Sequence, residues 1–476
     1  MKRAIVAIIA VTAVTACGGA AGAPAVARPS GTWVGTMTFR SPAGVEPQPI
    51  SIQLRGRRAV IALGRGHAAR TEVAATVRRG RLRVSLPGRP KRLVLDGRVK
   101  RGRLVGSIGG PVRGTFSLRR GAALQESSFG LYRFGDGRPL GIWSGEGPRI
   151  ATLYDDGEIR GLYPTRSNTY AVGAGLQTRN PTAGTATFTG STVNWRGARA
   201  ERVLVRAEEV FVRSGGALLG CTLTIPPGSG RRPGIVFAHG GGQAPRAYNS
   251  ISQLYFNHLG IVTLSCDKRG IGQSGGSYPG GFPTAQVVDR YARDVEAQAR
   301  FLAAQAEIDP SRIGVAGASQ ACWIMPVAAA REPAIRFMVG LVPPTLTQGE
   351  TDLWANLNGQ GQSQPTRTDE DMEAEVRRAA PSGVDPMPSI RAMRIPALWL
   401  YGGKDRIVPS RICVERLDPV SREPGRDFTY RVFPGGTHGL VLTANGLLAE
   451  QAASNRMVDG LYPTIRDWLR ARNLAP

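Results

Sequence analysis

A serine between very small residues is the first feature of this chain that could do chemistry. Gly317-Ala318-Ser319-Gln320-Ala321 comes directly after the apolar run 313–316 and directly before an apolar stretch of helical length, 322–330. On a sharp strand-to-helix turn the strained backbone exposes the serine hydroxyl, and the strand and helix approach so closely that the flanking residues must be tiny. The pattern therefore predicts Ser319 as a nucleophile, with Ala321 departing by one methyl group from the glycine usual at that position.

An acid and a histidine follow this serine in an order that suits its activation. The apolar run 396–401 predicts a buried strand that leads into Asp405, and the alternating run 427–433 predicts another strand that leads into His438. His438 is the sole histidine after Ser319 among the four in the chain. Because loops after successive parallel strands meet at one sheet edge, we expect a triad of nucleophile, orienting acid and general base.

A glycine-rich segment further upstream supplies the remaining element. His239-Gly240-Gly241-Gly242 follows a predicted strand over 234–238. Glycines let backbone N–H groups approach the negative charge that develops on a substrate oxygen. The predicted oxyanion donors are the N–H of Gln320 and one from Gly241 or Gly242. His239 is an alternative base, but its place before the nucleophile favours a structural hydrogen bond.

Together these motifs make the segment from about residue 209 to residue 474 resemble the α/β-hydrolase superfamily, especially bacterial exported esterases and the dienelactone-hydrolase-like and acyl-thioesterase-like groups. The resemblance implies an α/β fold with a mostly parallel central sheet flanked by helices, and a structural role for the turn Asp267-Lys268-Arg269-Gly270, with a substrate contact by Arg269 as the alternative. The stretches that carry it are GIVFAHGGG (234–242), CDKRGIGQSGG (266–276), GVAGASQACWIMPVAAA (314–330), LWLYGGKDRIVP (398–409) and FPGGTHG (433–439).

The activity that this resemblance implies is hydrolysis of carboxylic esters or thioesters through an acyl-enzyme on Ser319. His438 would act first as base and then as acid, and Asp405 would orient it. No cofactor is expected, and no metal-ligand spacing is visible in the sequence. Two alternatives stay open: a serine peptidase of the prolyl-oligopeptidase type, whose propeller repeats the upstream residues do not show, and a catalytically inert envelope-binding lipoprotein.

The start of the chain predicts export. Lys2 and Arg3, an apolar stretch over 4–13 and Val14-Thr15-Ala16-Cys17 match a secretory signal of the lipoprotein type, and the apolar run is too short to span a bilayer. Cys17 is the predicted lipid acceptor, and residues 18–29 form a predicted flexible tether. We therefore expect a lipid anchor on the outer face of a bacterial cell membrane; an ordinary cleaved signal is the alternative.

Upstream of the hydrolase-like segment, the chain is strongly basic. Residues 18–125 carry 21 arginines and lysines against three acidic residues, so +18 of the total net charge of +26 lies there. Alternation of charged and apolar residues, as in 80–86, predicts a small antiparallel β-domain over 30–121 and a second β-rich unit, or an extension of the first, over 122–208. The charge suggests anionic lipid headgroups or wall polymers as partners, or else a solvated sheet face. The export signal argues against nucleic acid.

Two features of the hydrolase-like segment, 209–476, concern its shape and its thiols. An insertion over about 346–392 lies where related proteins carry a cap, and Thr368 is predicted to begin a helix there. The insertion either shapes the substrate pocket or is a surface excursion.

Four cysteines allow three disulfide pairings. From their positions, Cys266 and Cys322 are instead expected to be buried small apolar residues. The full set is Cys221, Cys266, Cys322 and Cys413.

Overall fold

The computed structural model describes residues 29–39, 48–63, 71–86, 88–89, 92–110, 113–121, 128–144, 149–166, 168–280 and 283–476. The predicted signal segment, with Cys17, and the predicted tether up to residue 28 lie outside these described residues. Three bodies follow along the chain: two closed β-barrels and an α/β layer structure.

The first barrel consists of eight antiparallel strands that alternate between exposed and buried residues. In the fifth strand, for example, Arg81 and Arg83 are exposed while Leu82 and Val84 are fully buried. The arginines therefore cover the outside of the barrel and the apolar residues fill it. The nine strands of this region are β1 (Gly31–Phe39), β2 (Gln48–Arg55), β3 (Arg58–Leu63), β4 (Thr71–Arg78), β5 (Arg81–Leu86), β6 (Gly88–Arg89), β7 (Leu93–Lys100), β8 (Arg103–Gly109) and β9 (Gly114–Arg120), of which β6 lies outside the barrel.

The second barrel is also closed and eight-stranded, with each strand antiparallel to the next along the chain and the last paired with the first. Its own core includes Tyr132, Leu140, Ile142 and Trp195. Its strands are β10 (Gly130–Phe134), β11 (Pro139–Ser144), β12 (Arg149–Leu153), β13 (Glu158–Arg166), β14 (Thr169–Val172), β15 (Thr185–Thr189), β16 (Thr192–Trp195) and β17 (Ala198–Arg202).

A nine-stranded sheet forms the centre of the remaining chain. Its order is β25-β24-β23-β22-β20-β21-β19-β18-β6; the pairings from β21 to β25 are parallel, and β18 and β19 are joined by antiparallel pairings. This sheet, its helices and the antiparallel β-rich region before it confirm the predicted fold class. The strands are β18 (Arg206–Ser214), β19 (Ala217–Ile225), β20 (Arg232–Phe237), β21 (Val262–Cys266), β22 (Ile308–Ala318), β23 (Phe337–Leu341), β24 (Ala397–Gly402) and β25 (Phe428–Phe433).

Helices cover both faces of this sheet, because parallel strands need crossover connections and are buried on both sides. The helices are α1 (Ser250–His258), α2 (Ala285–Ala303), α3 (Ala321–Arg331), α4 (Gln348–Leu357), α5 (Asp369–Arg378), α6 (Met387–Ala392), α7 (Ser410–Ser421), α8 (Leu448–Ala453) and α9 (Leu461–Arg470). Apolar residues of α2, α3 and α7 share a core with one face, and those of α1 and α9 share a core with the other. Among the helices of the described residues, none combines the length and the apolar character needed to cross a bilayer.

The second barrel packs onto the sheet face that carries α1 and α9. Tyr154, directly after β12, packs its ring against those of Tyr255 of α1 and Tyr462 of α9, tilted to the first and edge-to-face with the second, with ring centroids 5.2 and 4.8 Å from its own. Its hydroxyl also donates to the carbonyl of Ile251 at 2.8 Å. Buried aromatic pairs of this kind contribute about 0.5–1.5 kcal/mol each beyond the area they bury. The barrel and the sheet thus share one apolar core.

A disulfide corrects one expectation from the sequence. Cys221 of β19 lies directly opposite Cys266 of β21 in the antiparallel register, and the two are bonded. The expectation that Cys266 is simply a buried apolar residue was therefore wrong, because the register that aligns the two thiols depends on strands that are not neighbours in sequence order. Of the cysteines in the described residues, Cys322 and Cys413 are free and buried.

Candidate active site

The predicted serine turn joins the end of β22 to the start of α3. Ser319 has φ +56°, in the left-handed region, where a non-glycine residue costs about 1–3 kcal/mol. Its N–H donates to the carbonyl of Leu341 at 3.0 Å, and its carbonyl accepts from the N–H of Cys322 at 2.8 Å. These two bonds hold the strained residue in place at the edge of the sheet, with its side chain half-buried.

Packing between strand and helix explains the residues that flank this turn. A Cβ atom added to Gly317 would lie 2.5 Å from the Cβ of Ala321 and 2.8 Å from the carbonyl oxygen of Ala238. Real Cβ atoms are not found so close to other atoms, so position 317 must be glycine. The methyl group of Ala321 occupies the space that this glycine leaves, and the pattern therefore tolerates alanine at its last position.

The predicted acid and histidine are hydrogen-bonded to each other. Asp405 has a fully buried side chain, and its Oδ2 accepts a bond of 2.8 Å from Nδ1 of His438. Its Oδ1 accepts from the N–H groups of Ile407 and Val408 at 2.8 and 2.9 Å. A carboxylate with three such donors is held in one orientation, and it leaves Nε2 as the ring nitrogen of His438 that can take a proton.

The protonation of His438 depends on two opposing effects. Burial disfavours the charged ring, but the charge of Asp405 and its hydrogen bond outweigh burial and raise the pKa of His438 above its ordinary value of 6.5. Burial instead lowers the pKa of His239 and that of His258 to about 4. Among the histidines that the structure describes, His438 is therefore the one whose pKa is raised and not lowered.

The structure joins Asp405 to His438 but does not join His438 to Ser319. All three residues follow strands of the parallel part of the sheet, β22, β24 and β25, and so lie at the same edge. Within the described residues, however, the Ser319 hydroxyl has no hydrogen-bond partner. Hydrogen bonds of this kind are commonly long in the free enzyme and shorten when substrate binds.

The predicted oxyanion loop lies beside the serine turn. A Cβ on Gly240 would be 3.2 Å from the carbonyl oxygen of Ala318, whereas Gly241 and Gly242 are exposed and border open space. His239 is buried, and its Nε2 lies 2.5 Å from the carbonyl oxygen of Cys266. Since its pKa of about 4 keeps the ring neutral, the ring donates this bond. His239 thus has the structural contact that its position favoured.

Lys268 is a residue of this site whose role the sequence did not reveal. Its Nζ donates to the carbonyls of Gly240 and Gly242 at 2.8 and 3.1 Å and to Oε1 of Gln320 at 3.0 Å. The side chain is 3 % exposed, and burial lowers its pKa to about 8. An ammonium group has three donors, and here each has an acceptor. Lys268 thereby ties the glycine loop to the residue after the serine.

The neighbouring Arg269 supports the fold instead of the site. It donates to Asp294 of α2 at 3.0 Å and to the carbonyl of Ser214 at 3.1 Å, and both charged side chains are buried. This matches the structural role that the resemblance implies for the turn. The scarcity of lysine, with five among the 61 basic residues, is the one sequence signal that could have drawn attention to Lys268. A compact ammonium fits between carbonyls where a planar guanidinium would not.

The insertion between β23 and β24 supports the acid. Trp354 of α4 donates from Nε1 to the carbonyl of Asp405 at 3.1 Å. Arg406, the next residue, donates to Oδ1 of Asn358 at 2.9 Å and also pairs with Asp369 at the start of α5. As predicted, Thr368 precedes that helix, and its side chain accepts from the N–H of Asp371. The insertion therefore braces the loop that carries the acid.

Comparison with known proteins agrees with this fold. Residues 235–451, just under half of the chain, match the model of the alpha/beta hydrolase family. The C-terminal part of the protein thus has an α/β-hydrolase fold. No curated protein matches the chain.

Three solved structures are similar at low identity. An esterase from Pyrococcus furiosus has a TM-score of 0.41 and 14 % identity, covering 56 % of this chain and 91 % of its own. A hyperthermophilic esterase from Pyrobaculum calidifontis has a TM-score of 0.40 and 18 % identity, and the match covers 57 % of this chain and 87 % of the esterase. Acetyl xylan esterase 1 from Thermoanaerobacterium sp. JW/SL YS485 has a TM-score of 0.36 and 19 % identity, and the match covers 49 % of this chain and 78 % of that esterase. These values are too low to transfer an activity to this chain.

The raised pKa of His438 predicts the acid side of the pH profile. A protonated ring cannot accept the serine proton, so kcat/KM for a p-nitrophenyl ester should fall as the pH drops through a value above 6.5. Asp405→Asn removes the charge, the larger of the two effects that raise this pKa, so residual activity should show a midpoint at lower pH. A wild-type midpoint at or below 6.5 would contradict the pairing.

The contacts of Lys268 predict a loss of turnover when they are removed. Lys268→Met keeps the length of the side chain but removes three hydrogen bonds, and kcat should fall about ten- to a hundredfold, less than the loss of an oxyanion donor itself. The exposed Lys100→Met is the matched control.

A second measurement separates positioning from general stability. Deprotonation of Lys268 leaves two donors for three acceptors, so wild-type kcat should decline as the pH rises through about 8. Lys268→Met should lack this decline. Unchanged kcat, or the same alkaline decline in both proteins, would count against a positioning role.

Proposed function

We propose that this protein is a serine hydrolase that cleaves carboxylic esters or thioesters through an acyl-enzyme intermediate. The observation that carries the proposal is the hydrogen-bonded Asp405–His438 pair at the sheet edge where Ser319 sits on a strained turn. A buried carboxylate, an imidazole with a raised pKa and a half-buried serine at the same edge of the sheet are the three groups that acyl transfer needs.

In the first half of the proposed reaction, Nε2 of His438 takes the Ser319 proton while Oγ attacks the substrate carbonyl carbon. The N–H of Gln320 at the start of α3 and one from Gly241 or Gly242 would hold the negative oxygen, aided by the helix N-terminus. His438 then gives its proton to the leaving alcohol or thiol, which leaves the acyl group on Ser319. Water repeats the sequence with His438 as base, and releases the carboxylic acid.

Neither alternative gains support from the described residues. Prolyl-oligopeptidase-type peptidases place a propeller of repeated blades before the hydrolase part, whereas this chain has two closed eight-stranded barrels there. An inert protein has no need of a buried acid held by three donors and bonded to the histidine. The ester or thioester reading is therefore preferred, and no cofactor is required for it.

We also propose that the protein is exported and anchored through Cys17 at the outer face of a bacterial membrane. The Cys221–Cys266 disulfide supports an oxidising compartment, since stable disulfides are rare in the cytosol. The exposed arginines of the first barrel, such as Arg83, suit anionic headgroups or wall polymers. Nucleic acid is not a proposed partner.

The serine assignment is tested by covalent labelling. A fluorophosphonate probe should attach to Ser319 in the wild-type protein, and Ser319→Ala should lose both the label and at least about a thousandfold of kcat on p-nitrophenyl esters. Ser274→Ala, at a buried serine of the hydrolase part, serves as the control for labelling specificity. Labelling that persists in Ser319→Ala would remove the basis of the proposal, and faster cleavage of peptides than of esters would favour the peptidase.

Lipid attachment makes a separate prediction. When the full gene product is expressed in a bacterium fed an alkyne fatty acid, the wild-type protein should carry the label and fractionate with membranes. Cys17→Ser should lose the label and move to the soluble fraction, because a protein without acyl chains lacks the stable anchor. Equal labelling of both proteins would rule out Cys17 as the acceptor.

A further inference from the structure

An apolar cavity lies between the second barrel and the sheet. Its volume is about 310 Å³, at the lower end of the 300–1,000 Å³ that small-molecule sites occupy. The barrel contributes Trp143, Ile159 and Leu176 to its wall, and the hydrolase part contributes residues of α1, α9 and the ends of β22 and β23. The cavity thus exists only because the barrel is docked on the sheet.

The cavity is lined by chain neighbours of two candidate active-site residues. Its wall includes Ala318, which precedes the serine, and Gly439, which follows His438. It also includes Leu341, whose carbonyl accepts the N–H of Ser319. Tyr248, 55 % exposed, lies at its outer rim. An acyl group on the serine would therefore have an apolar space directly beside it.

The barrel wall is fixed relative to the histidine loop. Two backbone N–H groups of the second barrel, those of Ile159 and Leu176, donate to carbonyls of the hydrolase part. The acceptors are Asn455 and Ser454, at 2.8 and 2.7 Å. Gln451, in the same segment, accepts a bond of 2.8 Å from the hydroxyl of Thr437, the residue before His438. The barrel, the cavity and the histidine loop are therefore held together by short hydrogen bonds.

The chemistry of the wall selects an uncharged, apolar group. In the described part of the chain, no charged side chain lines the cavity, although the protein as a whole has a net charge of +26. Aliphatic and aromatic side chains predominate, with a few polar groups such as Asn249 and Gln451. At about 30 Å³ for each water-sized group, the volume holds on the order of ten such groups.

We propose that this cavity binds the acyl chain of the substrate, so that the protein cleaves esters of medium-chain fatty acids and the second barrel sets the chain length. This inference rests on the proposed function, and it assigns to the barrel a part in specificity. Each methylene that enters the cavity should raise kcat/KM about fourfold, until the cavity is full.

The test is a series of p-nitrophenyl esters from acetate to hexadecanoate, hydrolysed by the full chain. Wild-type kcat/KM should rise to a maximum near octanoate or decanoate. Leu176→Trp fills the cavity, so its kcat/KM for decanoate should fall tenfold or more relative to its kcat/KM for acetate. Trp143→Ala enlarges the cavity and should move the maximum to longer chains. Leu204→Trp is the control: it also replaces leucine by tryptophan, but at a residue that is 77 % exposed, and it should leave the chain-length profile unchanged.

The opposite results overturn the assignment. If Leu176→Trp and Trp143→Ala are folded and keep the wild-type chain-length profile, the cavity does not hold the acyl chain. A parallel series of acetate esters with alcohols of increasing length covers the other half of the substrate. If the variants change the dependence on the alcohol and not that on the acyl chain, the cavity holds the alcohol group and the proposal is wrong.

Direct binding keeps the inference separate from the proposed activity. Decanoate should raise the thermal unfolding temperature of Ser319→Ala, and acetate at the same concentration should not. Should the protein have no Ser319-dependent hydrolysis, decanoate binding that is lost in Leu176→Trp would still support an acyl-sized site while the proposed function fails. Should either cavity variant not fold, absence of decanoate binding to Ser319→Ala would overturn the inference by itself.

Discussion

The hydrogen bond between Asp405 and His438 is the contact on which the other parts of this structure converge. A carboxylate with no exposed surface costs several kcal/mol unless its charge is compensated, and here one imidazole and two backbone N–H groups compensate it. The insertion holds the acid side of this pair through Trp354. The second barrel holds the histidine side through the segment that contains Gln451. The insertion and the second barrel, which are far apart in the chain, thus both help to fix the distance between Asp405 and His438.

A second buried charge serves the other half of the site. Lys268 is surrounded by carbonyl and amide oxygens, with the ring of Tyr291 4.6 Å from its Nζ, and no carboxylate neutralises it through a hydrogen bond or ion pair in the described residues. The positive charge therefore remains near the glycine loop and the start of α3. In a poorly hydrated site such a charge favours a negative oxygen beside it. Lys268 thus holds the glycine loop in position and, through its charge, also favours a negative substrate oxygen there.

Much of this site could be predicted from local patterns. The serine turn, and the strands that lead to Asp405 and His438, depend on residues adjacent in sequence, and an α/β sheet brings their ends to one edge. Lys268 and the Cys221–Cys266 pair could not be found in this way. The partners of Lys268 lie on the loops after β20 and β22, and the disulfide joins β19 to β21; the spatial order of these strands differs from their order in the chain. The barrel wall of the cavity is harder still, because it depends on how two separately closed structures dock.

The two barrels differ in their relation to the sheet. The first is joined to it by the short strand β6, which pairs with β18, and by Phe211, which is buried among its core residues. The sheet order places β6 at one edge and β25, which leads to His438, at the other. The second barrel instead covers the face beneath the serine and histidine loops. An anionic surface bound by the arginines of the first barrel would therefore hold the protein at the edge remote from the histidine strand. The first barrel is joined to an edge of the sheet, whereas the second barrel packs on one of its faces. Binding through the first barrel would therefore leave the cavity between the second barrel and the sheet free to receive substrate.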